Sequence, residues 1–105
     1  MGHTEYRPLV YICSPFSGDV AVNVEKARGY SRYAVDEGAI AFAPHLLLPQ
    51  YMSEEHERDL AMHMNFVFLS KCDELWVFGN VISPGMECEI SRAKKMKKTI
   101  RYLEG

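Results

Sequence analysis

At 105 residues the chain has material for one hydrophobic core, so a single domain over residues 1–105 is expected. Its 48% hydrophobic and 25% charged residues, with 7 Gly and 5 Pro, exclude a disordered or fibrous chain. A formal net charge of -2 lacks the basic footprint of a protein that holds a nucleic-acid polymer, which leaves small molecules as the expected partners.

In chain order, "LVYIC" (Leu9 to Cys13) is a run of β-formers followed by the breakers of "SPFSGD", which predicts a buried strand and then a loop. From Val20 to Glu37, Val20, Val24, Ala27, Tyr30 or Ser31, Ala34 and Val35 recur at helical spacing, and Gly38 is placed to end that helix in a left-handed turn. "AIAFAP" (Ala39 to Pro44) predicts a second strand, and "HLLLPQYM" an apolar loop beyond it. A second helix is expected from a Ser53 cap to about Lys71, with Glu54, Glu55 and Glu57 at the positive end of its dipole. "DELWVFG" (Asp73 to Gly79) is a third strand, apolar on both faces and therefore central, with Asp73 at the junction before it. A third helix is expected over Pro84 to Lys98, its lysines at the negative end, and "TIRYL" (Thr99 to Leu103) closes the chain as a fourth strand.

The order β-α-β-α-β-α-β predicts an α/β fold: a three-layer, flavodoxin/Rossmann-like domain with a four-stranded parallel sheet and helices on both faces. Ligands in such sheets bind at the carboxyl ends of the strands, where strand order reverses. "SPFSGD", "PHLLLP" and "NVISPG" then share one edge.

Cys13, Cys72 and Cys88 are too few and too widely spaced for a disulfide framework or a zinc knuckle, and a reducing, cytoplasmic setting is expected. No apolar run approaches the roughly 20 residues that span a bilayer, and the first residues lack a hydrophobic signal core, so neither membrane insertion nor export is expected.

The stretch "VISPGMECEIS" (Val81 to Ser91) sits on the ligand edge and carries two glutamates. Ser83, Pro84 and Gly85 read as a helix start: a hydroxyl cap, proline at the first position, and a glycine that lets a ligand approach the backbone. An anion is favoured there, although an ordinary capped helix has the same pattern. With Met86, Ile90 and Ala93 as the apolar stripe, Glu89 lies roughly 60° from its centre and Glu87 about 100° away on the other side. Glu89 therefore borders the core and leans back toward the helix start. An exposed ion pair from Glu89 to Arg92 is the competing reading.

Taken in order, "VYICSPFSGD", "KCDELWVFG" and "SPGMECEISRA" resemble the nucleoside 2-deoxyribosyltransferase-like superfamily, including its nucleoside 5'-monophosphate N-glycosidase branch. They are closer still to an uncharacterised phage and bacterial branch of it. The resemblance implies one such domain over residues 1–105, with Glu89 as nucleophile at the anomeric carbon and Tyr11 hydrogen-bonded to it. It implies cleavage of an N-glycosidic bond, or deoxyribosyl transfer, through a glycosyl-enzyme ester. Ser83 stands where the monophosphate branch places a phosphate-binding serine, and a homodimer or higher homo-oligomer is implied; the apolar Leu46 to Leu48, Tyr51 and Met52 are available either to its interface or to the core of a monomer.

Two positions depart from that pattern. The family's acid, an aspartate on the second helix, corresponds by spacing to Asn65, which cannot donate a titratable proton. Asp59 and His63 fall on other faces of that helix. Ser17 stands in place of a phosphate-binding arginine. A catalytically weakened nucleotide-binding or sensor module is therefore the alternative function.

Around these, Ser14, Ser17, Gly18 and Asp19 form a small polar loop able to offer hydroxyls and amides to phosphate, with Asn23 placed to hold it. His45 follows strand two, where an imidazole contacts a base or donates a proton near neutral pH. His56 and His63 share a helix without a third ligand, so no metal and no cofactor is expected. Cys13 reads as a buried strand residue. The candidate site is thus Glu89 and Tyr11 for catalysis, with Ser14, Ser17, Gly18, His45, Asn65, Ser83, Gly85 and Met86 around a nucleoside or nucleoside monophosphate.

Overall fold

The computed structural model describes residues 5–53 and 55–104. Its elements are β1 (Leu9–Cys13), α1 (Val20–Asp36), β2 (Ile40–Phe42), α2 (Pro44–Leu47), a 3-10 turn (Leu48–Gln50), α3 (Arg58–Lys71), β3 (Glu74–Phe78), α4 (Pro84–Lys95) and β4 (Thr99–Leu103). The four strands form one all-parallel sheet in the order β2-β1-β3-β4, the strand order of a flavodoxin/Rossmann-like α/β fold.

Side-chain alternation along the central strands builds the layers. Tyr11, Cys13, Leu75 and Val77 point to one face, where they pack with Leu69 of α3 and Met86, Ile90 and Ala93 of α4. Val10, Ile12, Trp76 and Phe78 point to the other, against Ala34 of α1. Both faces of β1 and β3 are thus covered, which explains the apolar runs Leu9–Cys13 and Leu75–Phe78. Asp73 fixes the register at the start of β3: its carboxylate accepts the Leu9 N–H at 2.8 Å while its own N–H donates to the Leu9 carbonyl at 2.8 Å.

Several boundaries differ from the sequence expectation for identifiable reasons. On α1 the buried residues are Ala27 and Ala34, whose small side chains let the helix approach the sheet, while Val20 and Val35 are 43% and 41% exposed. The segment after β2 is a short helix and a 3-10 turn rather than a loop, and Leu48 within it is buried in the core. Ser53 caps a single turn, accepting the His56 N–H at 3.2 Å on its hydroxyl while its N–H donates to the Glu57 carboxylate at 2.9 Å; α3 proper begins at Arg58. The place given to Glu54 lies outside the described residues. α4 stops at Lys95 because Lys97 adopts a left-handed φ of 59° and the Lys98 N–H turns back to the Ala93 carbonyl.

Gly38 closes α1 as expected, with φ +90° and the Ala39 N–H bonded to the Ala34 carbonyl at 2.9 Å. An added Cβ would meet no atom closer than 3.9 Å, so the penalty of Gly38→Ala is conformational. That substitution is expected to cost about 1 kcal/mol, read as a Tm lower by about 4–8 °C in calorimetry. Among the described residues no helix is long and apolar enough to cross a membrane.

Candidate functional site

Strand order reverses between β1 and β3, so the segments leaving their carboxyl ends diverge and open a crevice. The loop after β1 supplies one wall with Ser14, Phe16 and Ser17, joined by His45 from α2. The first turns of α4 supply the opposite wall with Ser83, Met86 and Glu89, and α3 closes the cleft with Arg58, Ala61, Met62 and Asn65. The enclosed space between them is about 50 Å³, and it opens to solvent at its mouth.

Glu89 is 3% exposed and its carboxylate turns inward from α4. The Tyr11 hydroxyl donates to its Oε2 at 2.5 Å, and the Cys13 thiol donates to its Oε1 at 3.3 Å. Burial pushes the Tyr11 phenol well above its ordinary range, and the Glu89 charge and hydrogen bond push it further. The same causes, burial first, push the Cys13 thiol up. Both groups therefore keep their protons and serve as donors, and Cys13 is a buried thiol, not a thiolate. Hydrogen bonds to the charged form of a carboxylate favour that form. Glu87, two residues earlier, faces solvent, and Arg92 lies over the Phe66 ring at 4.2 Å.

Ser83 caps α4 by accepting the Met86 N–H on its hydroxyl oxygen at 3.2 Å, which leaves the Ser83 hydroxyl proton available to a ligand. Asn23 holds the opposite loop, its side-chain amide donating to the carbonyls of Phe16 at 3.1 Å and Ser17 at 2.9 Å. Deeper in, Ser14 Oγ and Asn65 Oδ1 are buried without a hydrogen-bond partner among the described residues. A buried polar atom left in that state costs about 1–3 kcal/mol, a cost that a polar ligand in the cleft offsets.

His45 Nε2 lies 3.0 Å from the Ser14 carbonyl, and its ring stacks on Phe16 at 5.0 Å between centroids. Burial lowers its pKa from the ordinary 6.5, outweighing the Ser14 hydrogen bond that raises it. The imidazole is therefore neutral at pH 7 and donates its Nε2 proton to Ser14, which leaves that proton committed to the protein and not to a leaving group. Because the folded state resists protonation, the unfolded state binds more protons below about pH 6.5. Stability from this group is expected to be present above that pH and lost as the pH falls through the lowered folded value. Denaturant midpoints across pH 5–8 should show this slope, and His45→Gln should flatten it.

Of the residues expected from sequence, the structure brings Ser14, Ser17, His45, Asn65, Ser83, Met86 and Glu89 to one cleft, with Tyr11 directly behind Glu89. Gly18 and Gly85 are not part of its lining: Gly18 forms a left-handed turn at φ +95°, and a Cβ on Gly85 would meet Met62 at an ordinary 3.9 Å. Arg58, Phe16 and Met62 were not anticipated. For α3 the signal was present, since Arg58, Ala61, Met62 and Asn65 follow i, i+3, i+4, i+7 on one helical face. Asp59 and His63, on other faces, are exposed. Among the described residues no group of three or more His, Cys, Asp or Glu gathers to hold a metal ion.

A family model described as "Domain of unknown function (DUF7768)" matches residues 8–103. No curated protein sequence matches the chain. Among solved structures, the chain is similar to a 2-deoxyribosyltransferase from the psychrotolerant bacterium Bacillus psychrosaccharolyticus, described as a biocatalyst for the synthesis of antiviral and antitumoral nucleosides. The two share 20% sequence identity at a TM-score of 0.65, over 91% of this chain and 72% of that one. At that identity the likeness establishes the fold.

Proposed function

The chain belongs to the DUF7768 family, and from its own cleft we propose that it cleaves, or transfers, the N-glycosidic bond of a nucleoside or nucleoside monophosphate, with Glu89 as nucleophile. The observation that carries this reading is the buried Glu89 carboxylate, held on one oxygen by the Tyr11 hydroxyl at 2.5 Å and facing a cleft at the sheet's switch point. The similarity to a solved 2-deoxyribosyltransferase supports it at the level of fold.

A Glu89 oxygen attacks the anomeric carbon, and the carbon–nitrogen bond breaks with its electron pair passing to the base. The base takes a proton from water at the open mouth. The resulting glycosyl ester is then attacked at the same carbon by water, whose second proton returns to solvent, and the carboxylate is released. In transfer, a second base replaces that water. Tyr11, which keeps its proton, orients the carboxylate throughout.

Asn65 favours a second reading. The α3 side of the cleft carries an amide where a carboxylic acid would assist departure of the base, so a nucleotide-binding or sensor module retains the same pocket with weakened chemistry. Incubation with a panel of ribo- and deoxyribonucleosides and their 5'-monophosphates, with chromatography for free base and intact mass spectrometry for a sugar adduct, separates the two. Base release with an adduct on Glu89 supports the glycosidic reading; tight binding with no base release supports the module and defeats the enzyme. Assembly into a homodimer or higher homo-oligomer belongs to the same proposal, with Leu47 (36% exposed) and Tyr51 (63% exposed) available to a second copy.

A further inference from the structure

We infer that Arg58 is an anion anchor at the mouth of the cleft, which makes the preferred ligand one that carries a phosphate group. The inference rests on the nucleotide reading above and narrows it. Among the described residues, five of the six arginines have a protein partner: Arg7, Arg28 and Arg32 pair with Glu5, Glu25 and Asp36, while Arg92 and Arg101 lie over Phe66 and Trp76. Among the described residues Arg58 meets neither a carboxylate nor a ring, and it lines the cleft.

Its position sharpens the point. Arg58 is the first residue of α3, where the helix dipole disfavours a cation, between Glu57 at the N-cap and Asp59 in the first turn. Arg58 is exposed, so a charged group held there remains partly hydrated and loses little solvation. Ser17 and Ser83 line the same cleft with hydroxyls, and the Ser83 proton is not used by its helix cap. A guanidinium matches two phosphate oxygens at once, which a point charge does not.

The interior completes the orientation. Ser14 Oγ and Asn65 Oδ1, on residues 1% and 5% exposed, lack a hydrogen-bond partner among the described residues and call for an uncharged polar body such as a sugar or base. The Glu89 carboxylate, deep in the cleft, repels an anion from its own end. The cleft is thus polar and neutral-seeking within, and anion-seeking at its rim.

The test measures binding and base release for 2'-deoxynucleosides and their 5'-monophosphates, with inorganic phosphate as a separate probe, for the wild type, Arg58→Gln and Arg58→Lys. The wild type is expected to favour monophosphate over nucleoside by about tenfold or more, with a preference that weakens as salt rises. Arg58→Gln should reduce that ratio to about threefold or less, and Arg58→Lys should retain part of it because charge survives while the two-pronged geometry does not. A ratio near one in the wild type, or one unchanged in Arg58→Gln, overturns the anchor. Nucleoside cleavage without a preference leaves the glycosidic reading standing and removes the anchor alone. If no nucleoside or nucleotide reacts or binds, the glycosidic reading falls, and the anchor is decided by inorganic phosphate: Arg58-dependent binding supports it and Arg58-independent or absent binding overturns it. Circular dichroism and Tm of both variants establish that they are folded.

Discussion

Glu89→Gln is expected to lower base release by at least about a thousandfold, equivalent to about 4 kcal/mol of lost transition-state stabilisation, and to abolish any sugar adduct seen by intact mass. A glutamine has the shape of the carboxylate but neither its charge nor its ability to form and release an ester. The same substitution is expected to leave Tm unchanged or to raise it. Glu89 is 3% exposed, and a charge buried to that degree is held at a desolvation cost that a neutral amide avoids. The amide oxygen still accepts the Tyr11 hydroxyl. Activity lost while stability is kept or gained is the signature of a functional carboxylate, because a structural one would show stability falling with the substitution. If the variant released base at the wild-type rate, Glu89 would not be the nucleophile.

Tyr11→Phe is expected to destabilise the fold by about 1.5–3 kcal/mol, since it removes a hydrogen bond to a charged group and leaves a buried carboxylate oxygen without that donor. Denaturant titration with both proteins measures this as a lower midpoint at constant slope. The alkaline side gives an independent sign. Tyr11 has a folded pKa well above the ordinary 10.0, so above about pH 10 the unfolded state releases its proton first and stability falls as pH rises. Tyr11→Phe should lose that part of the alkaline slope. Unchanged stability together with an unchanged alkaline slope would show that the short contact with Glu89 has no energetic role.

Much of this architecture was legible along the chain because its signals are local. "LVYIC" and the "LWVF" that follows Glu74 are apolar at every position, a pattern that strands covered on both faces favour, and the crossover helices between them impose parallel pairing. Ser83 and Pro84 mark the start of α4, and the offset of Glu89 from the stripe Met86, Ile90 and Ala93 already separated it from Glu87. Less was legible where pattern and packing disagree. The valines of α1 keep helical spacing but stay at its flank, because alanines give the closest approach to the sheet. Ser53 has the chemistry of a helix cap and does cap a turn, yet α3 begins at Arg58. His45 reads as a proton donor near neutral pH until burial and the Ser14 carbonyl commit its proton.

By itself, then, the order of residues determined the succession of strands and helices, the edge on which a ligand would meet them, and which of two neighbouring glutamates faces inward, since each depends on periodicities of two or 3.6 residues. Only the tertiary structure decided which donors meet that glutamate and which cation shares its cleft. Tyr11 and Glu89 are 78 positions apart, and Arg58 comes from a third element altogether. Such meetings follow from how a twisted sheet orders its strands and how tightly each helix packs on it, and no short-range pattern encodes them.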